Sequence, residues 1–371
     1  MKTPLEQLLQ KIGQSLDLPP HISDQVAVHY KTVQKWICEG DYFKKFDILV
    51  YPQGSYALGT VNKPMLDGEE FDLDFILEIT DTQLGDPPTP SELRSQLLKR
   101  LRENANYAPK LHPKNRCAQI QFSGQFHMDV IPARCRNQSS IDSRILIPDH
   151  SLQDWTYSNP KGYIEWFEAQ CNKTVERVQF DEHVTLSGEV EVEPLPAHET
   201  NDHKKPLQQA VRIMKHHRDL FFAENPEKKP ISIILTTLAG KYYSGENTVH
   251  GAIKQILSSI YSNLLSQTEI PTITNPSDKD ENFAEKWIQT PVLYSVFKAY
   301  IREFIVFWDQ LENQLTDSNL RSLKEKLGED IVHREYNQLD GSNSHRAKES
   351  SPIPVITNNA QPKPWKEAIS M

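Results

Sequence analysis

The chain has 371 residues, 37% apolar and 25% charged, enough for two separately packed cores in a polar globular protein. Its longest apolar stretches, such as 231–238, fall short of the roughly 20 residues of a bilayer span, and the opening Met1-Lys2-Thr3-Pro4-Leu5-Glu6 lacks the apolar centre of a signal peptide. A net charge of −9 argues against a nonspecific nucleic-acid coat, and four scattered cysteines (Cys38, Cys117, Cys135, Cys171) against a zinc or disulfide framework.

Thr3-Pro4 sets a capping hydroxyl before a first-turn proline, and Leu5, Leu8, Leu9 and Ile12 repeat at helical spacing. A second helix is predicted from about 23 to 38 on Val26, Tyr30, Val33 and Ile37. Residues 48–51 form a short strand running into Gly54-Ser55, and 71–79 a longer one. Thr89-Pro90-Ser91-Glu92 reads as a capping box opening a helix on Leu93, Leu97 and Leu101. Two strand-like runs, 117–122 and 125–131, are separated only by Ser123-Gly124, a hairpin signal. Trp155, Tyr163, Trp166 and Phe167 suggest one aromatic-rich element. Helical periodicity then dominates over 206–223, 231–244, 250–266, 281–313 and 317–327, with Gly328 ending the last. The expected organisation is an α+β core with N-terminal helices (1–203), a helical lobe (204–336) and a flexible polar tail (337–371).

The chemistry is concentrated in 54–74. On a strand, residues i and i+2 share a face about 6.6 Å apart, so Asp72 and Asp74 stand together while Phe71, Leu73, Phe75 and Leu77 fill the opposite face. Two such carboxylates repel unless a cation lies between them. In 125–131, His127, Asp129 and Ile131 point one way, and Asp129 becomes a third acid beside the pair. Gln53-Gly54-Ser55 supplies backbone N–H groups and a hydroxyl suited to phosphate; Thr60-Val61 stands where a P-loop requires Lys-Ser/Thr, so a Walker A reading fails. Gly-Ser, then D-x-D, then a lone aspartate is the pattern of Mg²⁺-dependent nucleotidyl transfer, with Asp72 and Asp74 bridging two ions and Asp129 holding the one that activates a hydroxyl. Basic clusters at 94–116 and 203–218 flank the acidic strands, and part of each is expected to face a polyphosphate. Asp67, Glu69 and Glu70 read as a solvated loop, His216 and His217 as cleft-edge or solvated residues, and Tyr242 and Tyr243 as helical core.

This order resembles the polymerase-β-like nucleotidyltransferase superfamily. The segments 206–218 and 229–238, with Ser158-Asn159-Pro160-Lys161-Gly162-Tyr163, are similar to the bacterial CD-NTases, the cyclic-oligonucleotide synthases of CBASS anti-phage defence. The resemblance spans about 25–330 and is absent from the tail. It implies a mixed sheet facing a helical lobe, with Lys215 reaching the donor triphosphate and Ser232 hydrogen-bonding it. It also implies two Mg²⁺ ions with Mn²⁺ as a substitute, NTP substrates including ATP, a cyclic di- or trinucleotide product, and a separate effector activated by that product. A cytoplasmic location, no stable nucleic-acid or membrane contact, and a regulatory partner at the C-terminal tail complete the expectation. Two rivals stand beside it: transfer to an RNA, protein or small-molecule acceptor, and an inert nucleotide-sensing scaffold.

Overall fold

The structure is a computed structural model that describes residues 2–64, 70–80, 87–122, 125–135, 143–173, 204–311 and 315–349, without side chains beyond 340. The elements in chain order are α1 (Pro4–Ser15), α2 (Pro20–Cys38), β1 (Asp47–Pro52), α3 (Gly54–Ala57), β2 (Phe71–Thr80), α4 (Pro90–Arg102), β3 (Leu111–Pro113), β4 (Ala118–Phe122), β5 (Phe126–Cys135), β6 (Ile145–Asp149), β7 (Asp154–Ser158) and α5 (Pro160–Cys171). They continue with α6 (Pro206–Phe221), α7 (Ser232–Tyr242), α8 (Val249–Ile260), β8 (Thr274–Asn275), β9 (Asp278–Asn282), α9 (Glu285–Gln289), α10 (Pro291–Asp309), α11 (Asp317–Leu327) and α12 (Glu329–Glu349). The caps predicted for α1 and α4 form: Thr3 and Thr89 accept from the backbone N–H of Glu6 and Glu92. The predicted Ser123-Gly124 turn lies outside the described residues.

Seven strands make one mixed sheet in the order β1-β2-β5-β4-β3, with β6 and β7 continuing from β5. The β2–β5 pair is parallel and its neighbours are antiparallel. One face buries Leu73, Phe75, Leu77, Met128 and Val130 against α2 and α4. A second core unites α6, α7, α8, α10 and α11 with side chains of α1 and α5. Glu6 of α1 ties the N-terminal helix to this core: its buried carboxylate accepts from the backbone N–H of Val249 and His250, capping α8.

Four sequence expectations change here. The aromatic stretch forms two elements, β7 and α5, because Asn159-Pro160 starts a new helix and the Asn159 side chain caps it. The long helix expected over 281–313 breaks into β9, α9 and α10, with Pro291 opening α10 where its ring would disrupt a continuing helix. Residues 337–349, expected to open the flexible tail, instead continue α12, where Val332, Tyr336 and Leu339 carry an apolar stripe onto the helical core; residues 350–371 lie outside the described residues. His216 and His217 are buried rather than solvated: His216 Nε2 bonds the Leu327 carbonyl at 2.8 Å, and His217 stacks on Phe304 with ring centroids 3.9 Å apart. Burial pushes His217 down to about 3, so it stays neutral. Tyr243 is core, as expected. No helix among the described residues is long and apolar enough to cross a membrane.

Candidate active site

Register places the acids. Across the parallel pair, Asp74 faces Asp129 and Asp72 faces His127. Across the antiparallel pair, Gln119 faces Asp129 and Gln121 faces His127. Two polar rows, Asp74–Asp129–Gln119 and Asp72–His127–Gln121, therefore cross β2, β5 and β4 on one face. Ligand atoms of Asp72, His127 and Asp129 lie within 4.8 Å of one another. Asp129 is held by Gln119 Nε2 at 2.9 Å and the Cys117 thiol at 3.1 Å. Burial pushes the Asp74 carboxyl well above the usual carboxylate range, and the Asp72 and Asp129 charges push the same way. A bound divalent cation relieves that repulsion, so these residues fit one.

Gly54 covers Asp74. Its φ is +61°, and a Cβ there would lie 2.5 Å from Asp74 Oδ2, so only glycine fits both the turn and the approach. The Gln53 N–H anchors this turn on the Asp74 carbonyl at 2.9 Å, while Gly54 and Ser55 line the cleft. Two side chains of α6 and one of the loop then stitch the following loop to the helical lobe. Gln208 bonds the Leu58 carbonyl, Lys215 Nζ that of Thr60 at 2.8 Å, and Asn62 reaches back to the Arg212 carbonyl.

The cleft between sheet and helices has a volume of about 860 Å³, within the range of ligand sites. Asp72, Asp74 and His127 line its sheet side; Lys215, Arg218, Lys229 and Ser232 line the helical side. Lys215 is buried, and that burial, reinforced by Arg218, lowers it to about 7. Ser232 opens α7 without capping it; its hydroxyl accepts from Arg218 at 2.8 Å. Asp219 pairs with Lys229 at 3.2 Å and with Arg218 at 2.6 Å.

The basic cluster at 94–116 does not reach this cleft. Arg94 bonds the Lys114 carbonyl, Arg100 stacks on Trp36 and pairs with Glu103, and Arg116 pairs with Asp149. Among the described basic residues of the second cluster, 204–218, only Lys215 and Arg218 line it; Lys204, Lys205 and Arg212 line a separate cavity of about 350 Å³. Glu70 is not a solvated loop residue. Its side chain is 8% exposed and contacts His127 and Gln121. Asp67 and Glu69 lie outside the described residues. Sequence reasoning missed Gln119, Gln121 and Cys117 as partners of the site. Alternation along β4, read through the hairpin, puts all three on the Asp129 face.

A parallel strand pair carrying D-x-D opposite a lone aspartate, under a helical lobe, defines the polymerase-β-like nucleotidyltransferase class. Residues 3–172 match the family model described as Second Messenger Oligonucleotide or Dinucleotide Synthetase domain. The c-di-GMP synthase of Roseivirga ehrenbergii is 33% identical over 323 residues, 84% of this chain and 80% of that protein. The chain belongs to the bacterial CD-NTase family and is a nucleotidyltransferase. CdnG of Bradyrhizobium diazoefficiens in complex with GTP superposes with a TM-score of 0.70 at 18% identity, covering 91% of this chain and 99% of that one. Escherichia coli DncV in its 3′-deoxy GTP bound form gives 0.61 at 17% identity, covering 86% and 93%. At those identities the likeness is one of fold: a mixed sheet with N-terminal helices and a C-terminal helical region.

Proposed function

We propose that this enzyme condenses nucleoside triphosphates into a cyclic di- or trinucleotide with release of pyrophosphate, using Asp72, Asp74 and Asp129 as its metal-binding acids. The observation carrying this is the parallel register that sets Asp74 beside Asp129, with Asp72 one step along the same face and a nucleotide-sized cleft above. Two Mg²⁺ ions, or Mn²⁺ in their place, would be held there; they lower the pKa of the attacking hydroxyl and neutralise the leaving pyrophosphate. Ser55 and its turn face the phosphates from the sheet side. Lys215, Arg218 and Lys229 offset their charge from the helical side, and Ser232 is held by Arg218 for a hydrogen bond to them. The sheet and the helical lobe, which α1 and α5 join, enclose the substrates between them. The Roseivirga relative is named a c-di-GMP synthase, so GTP is the first substrate to test, with ATP beside it. In a bacterial cytoplasm the product would activate a separate effector protein in anti-phage signalling.

The test is to incubate the protein with Mg²⁺ or Mn²⁺ and GTP, ATP, CTP and UTP, singly and together, and identify products by mass spectrometry. A cyclic nucleotide and stoichiometric pyrophosphate are expected. Linear transfer to an added acceptor, or no turnover in any mixture, would overturn the proposal.

A further inference from the structure

Of the three acids, Asp72 is the one that stands exposed. Its side chain is 63% exposed, and its only hydrogen-bond or ion-pair partner among the described residues is His127, whose Nε2 lies 3.0 Å from Oδ1. Asp129, by contrast, has two donors fixing it. Beyond His127 a chain of contacts continues along the sheet face to exposed Gln121. Nδ1 lies 3.6 Å from Glu70 Oε2, and Glu70 Oε1 accepts from Gln121 Nε2 at 2.7 Å. The register that aligns Asp72, His127 and Gln121 on adjacent strands makes this arrangement a property of the sheet.

An exposed aspartate turns freely about its side-chain bonds, and a carboxylate that must meet a cation in fixed geometry binds more weakly when it does. Groups that orient metal ligands restrict that freedom. We propose that His127 and Glu70 are positioning residues, a relay anchored by Gln121 that holds the Asp72 carboxylate in its metal-binding orientation. Nε2 of His127 is engaged by Asp72 at 3.0 Å, and Nδ1 lies toward Glu70 at 3.6 Å, so the relay directs the ring at the carboxylate rather than at the ion. The inference rests on the metal site proposed above.

The test uses the full chain without nucleotide and Mn²⁺ as the probe, with free Mn²⁺ read by electron paramagnetic resonance. His127→Ala should weaken Mn²⁺ binding by about 10–100-fold. His127→Gln, which keeps an N–H within reach of Asp72, should recover most of the loss. Glu70→Ala, placed before β2 and outside the sheet, should weaken binding in the same direction and serves should His127→Ala fail to fold. Pulsed resonance on the unaltered protein should show no directly coordinated ¹⁴N. Unchanged affinity in His127→Ala or Glu70→Ala would overturn the relay, as would a glutamine variant no better than alanine or a coordinated-nitrogen signal. Asp72→Asn in the same titration separates the two readings. If it binds as tightly as the unaltered protein, or if that protein takes up no Mn²⁺, the metal site itself is contradicted and the relay falls with it.

Discussion

Replacing Gly54 with alanine should distinguish backbone strain from displacement of a catalytic carboxylate. At φ +61° an L-residue costs on the order of 1–2 kcal/mol. The new Cβ would also sit 2.5 Å from Asp74 Oδ2, so the carboxylate must move. Gly59 is the matched control. Its φ is +64°, but its Cβ would meet only the end of the flexible Gln208 side chain, Nε2 at 2.7 Å and Cδ at 3.6 Å. The two variants share the strain and differ in what they push. Both should lose about 1–2 kcal/mol of unfolding free energy in urea. Only Gly54→Ala should also lose on the order of 10²-fold in kcat, the usual consequence of a misplacement of about 1 Å in a reacting constellation. That loss corresponds to about 2.7 kcal/mol in the barrier. Pyrophosphate release at saturating nucleotide and metal reads it, and Gly59→Ala should stay within a few-fold of the unaltered rate. Equal losses in the two variants, or a fully active Gly54→Ala, would refute the reasoning.

Lys215 gives a pH signature. With its ammonium lowered to about 7 in the free protein, charging it for a triphosphate becomes harder above that pH. Nucleotide affinity should therefore fall as pH rises past 7, and Lys215→Arg, which stays charged, should flatten the profile. Lys215→Met should raise KM by roughly 10–100-fold, the loss of one hydrogen bond to a charged group. For stability the sign is opposite. The unfolded lysine, with a pKa near 10.4, binds the proton that the folded one has released, so the destabilising cost of burying this group is lifted as pH rises from about 7 to about 10. Urea titrations of Lys215→Met across that window should lack this contribution. Asp17→Asn should be severe: fully buried Arg212 loses its carboxylate partner, and Lys204 loses its own. Breaking such a pair costs about 3–5 kcal/mol, readable by urea denaturation.

Much of the site is legible because strand alternation is local. Period two puts Asp72 and Asp74 on one face and His127 and Asp129 on another strand's equivalent face, and register then has only to bring the strands together. The register itself, Asp74 to Asp129 and Asp72 to His127, joins segments about 55 residues apart and depends on the whole sheet. Glu70 looked solvated because a polar residue in a polar loop carries no mark of the strand it will touch. His216 and His217 were misplaced for a related reason. The polar run Lys215-His216-His217-Arg218 reads as a wet face, yet α6 is the central helix of its lobe and is covered on nearly every side. Pro291, in contrast, was a visible break within an apolar pattern that continued past it on both sides. The apolar stripe of α12 is carried by few residues in a polar stretch, too sparse to stand out without the surface it packs against.

The central claim is that Asp72, Asp74 and Asp129 jointly hold the ions that drive nucleotidyl transfer in the cleft. Anomalous diffraction at the manganese edge, from crystals grown with Mn²⁺ and a non-hydrolysable GTP analogue, tests it directly. Two peaks are expected, both touching Asp72 and Asp74, one of them also touching Asp129, with the triphosphate running toward Ser55 and Lys215. Manganese bound elsewhere, or a nucleotide seated with no ion between its phosphates and these carboxylates, would contradict the account.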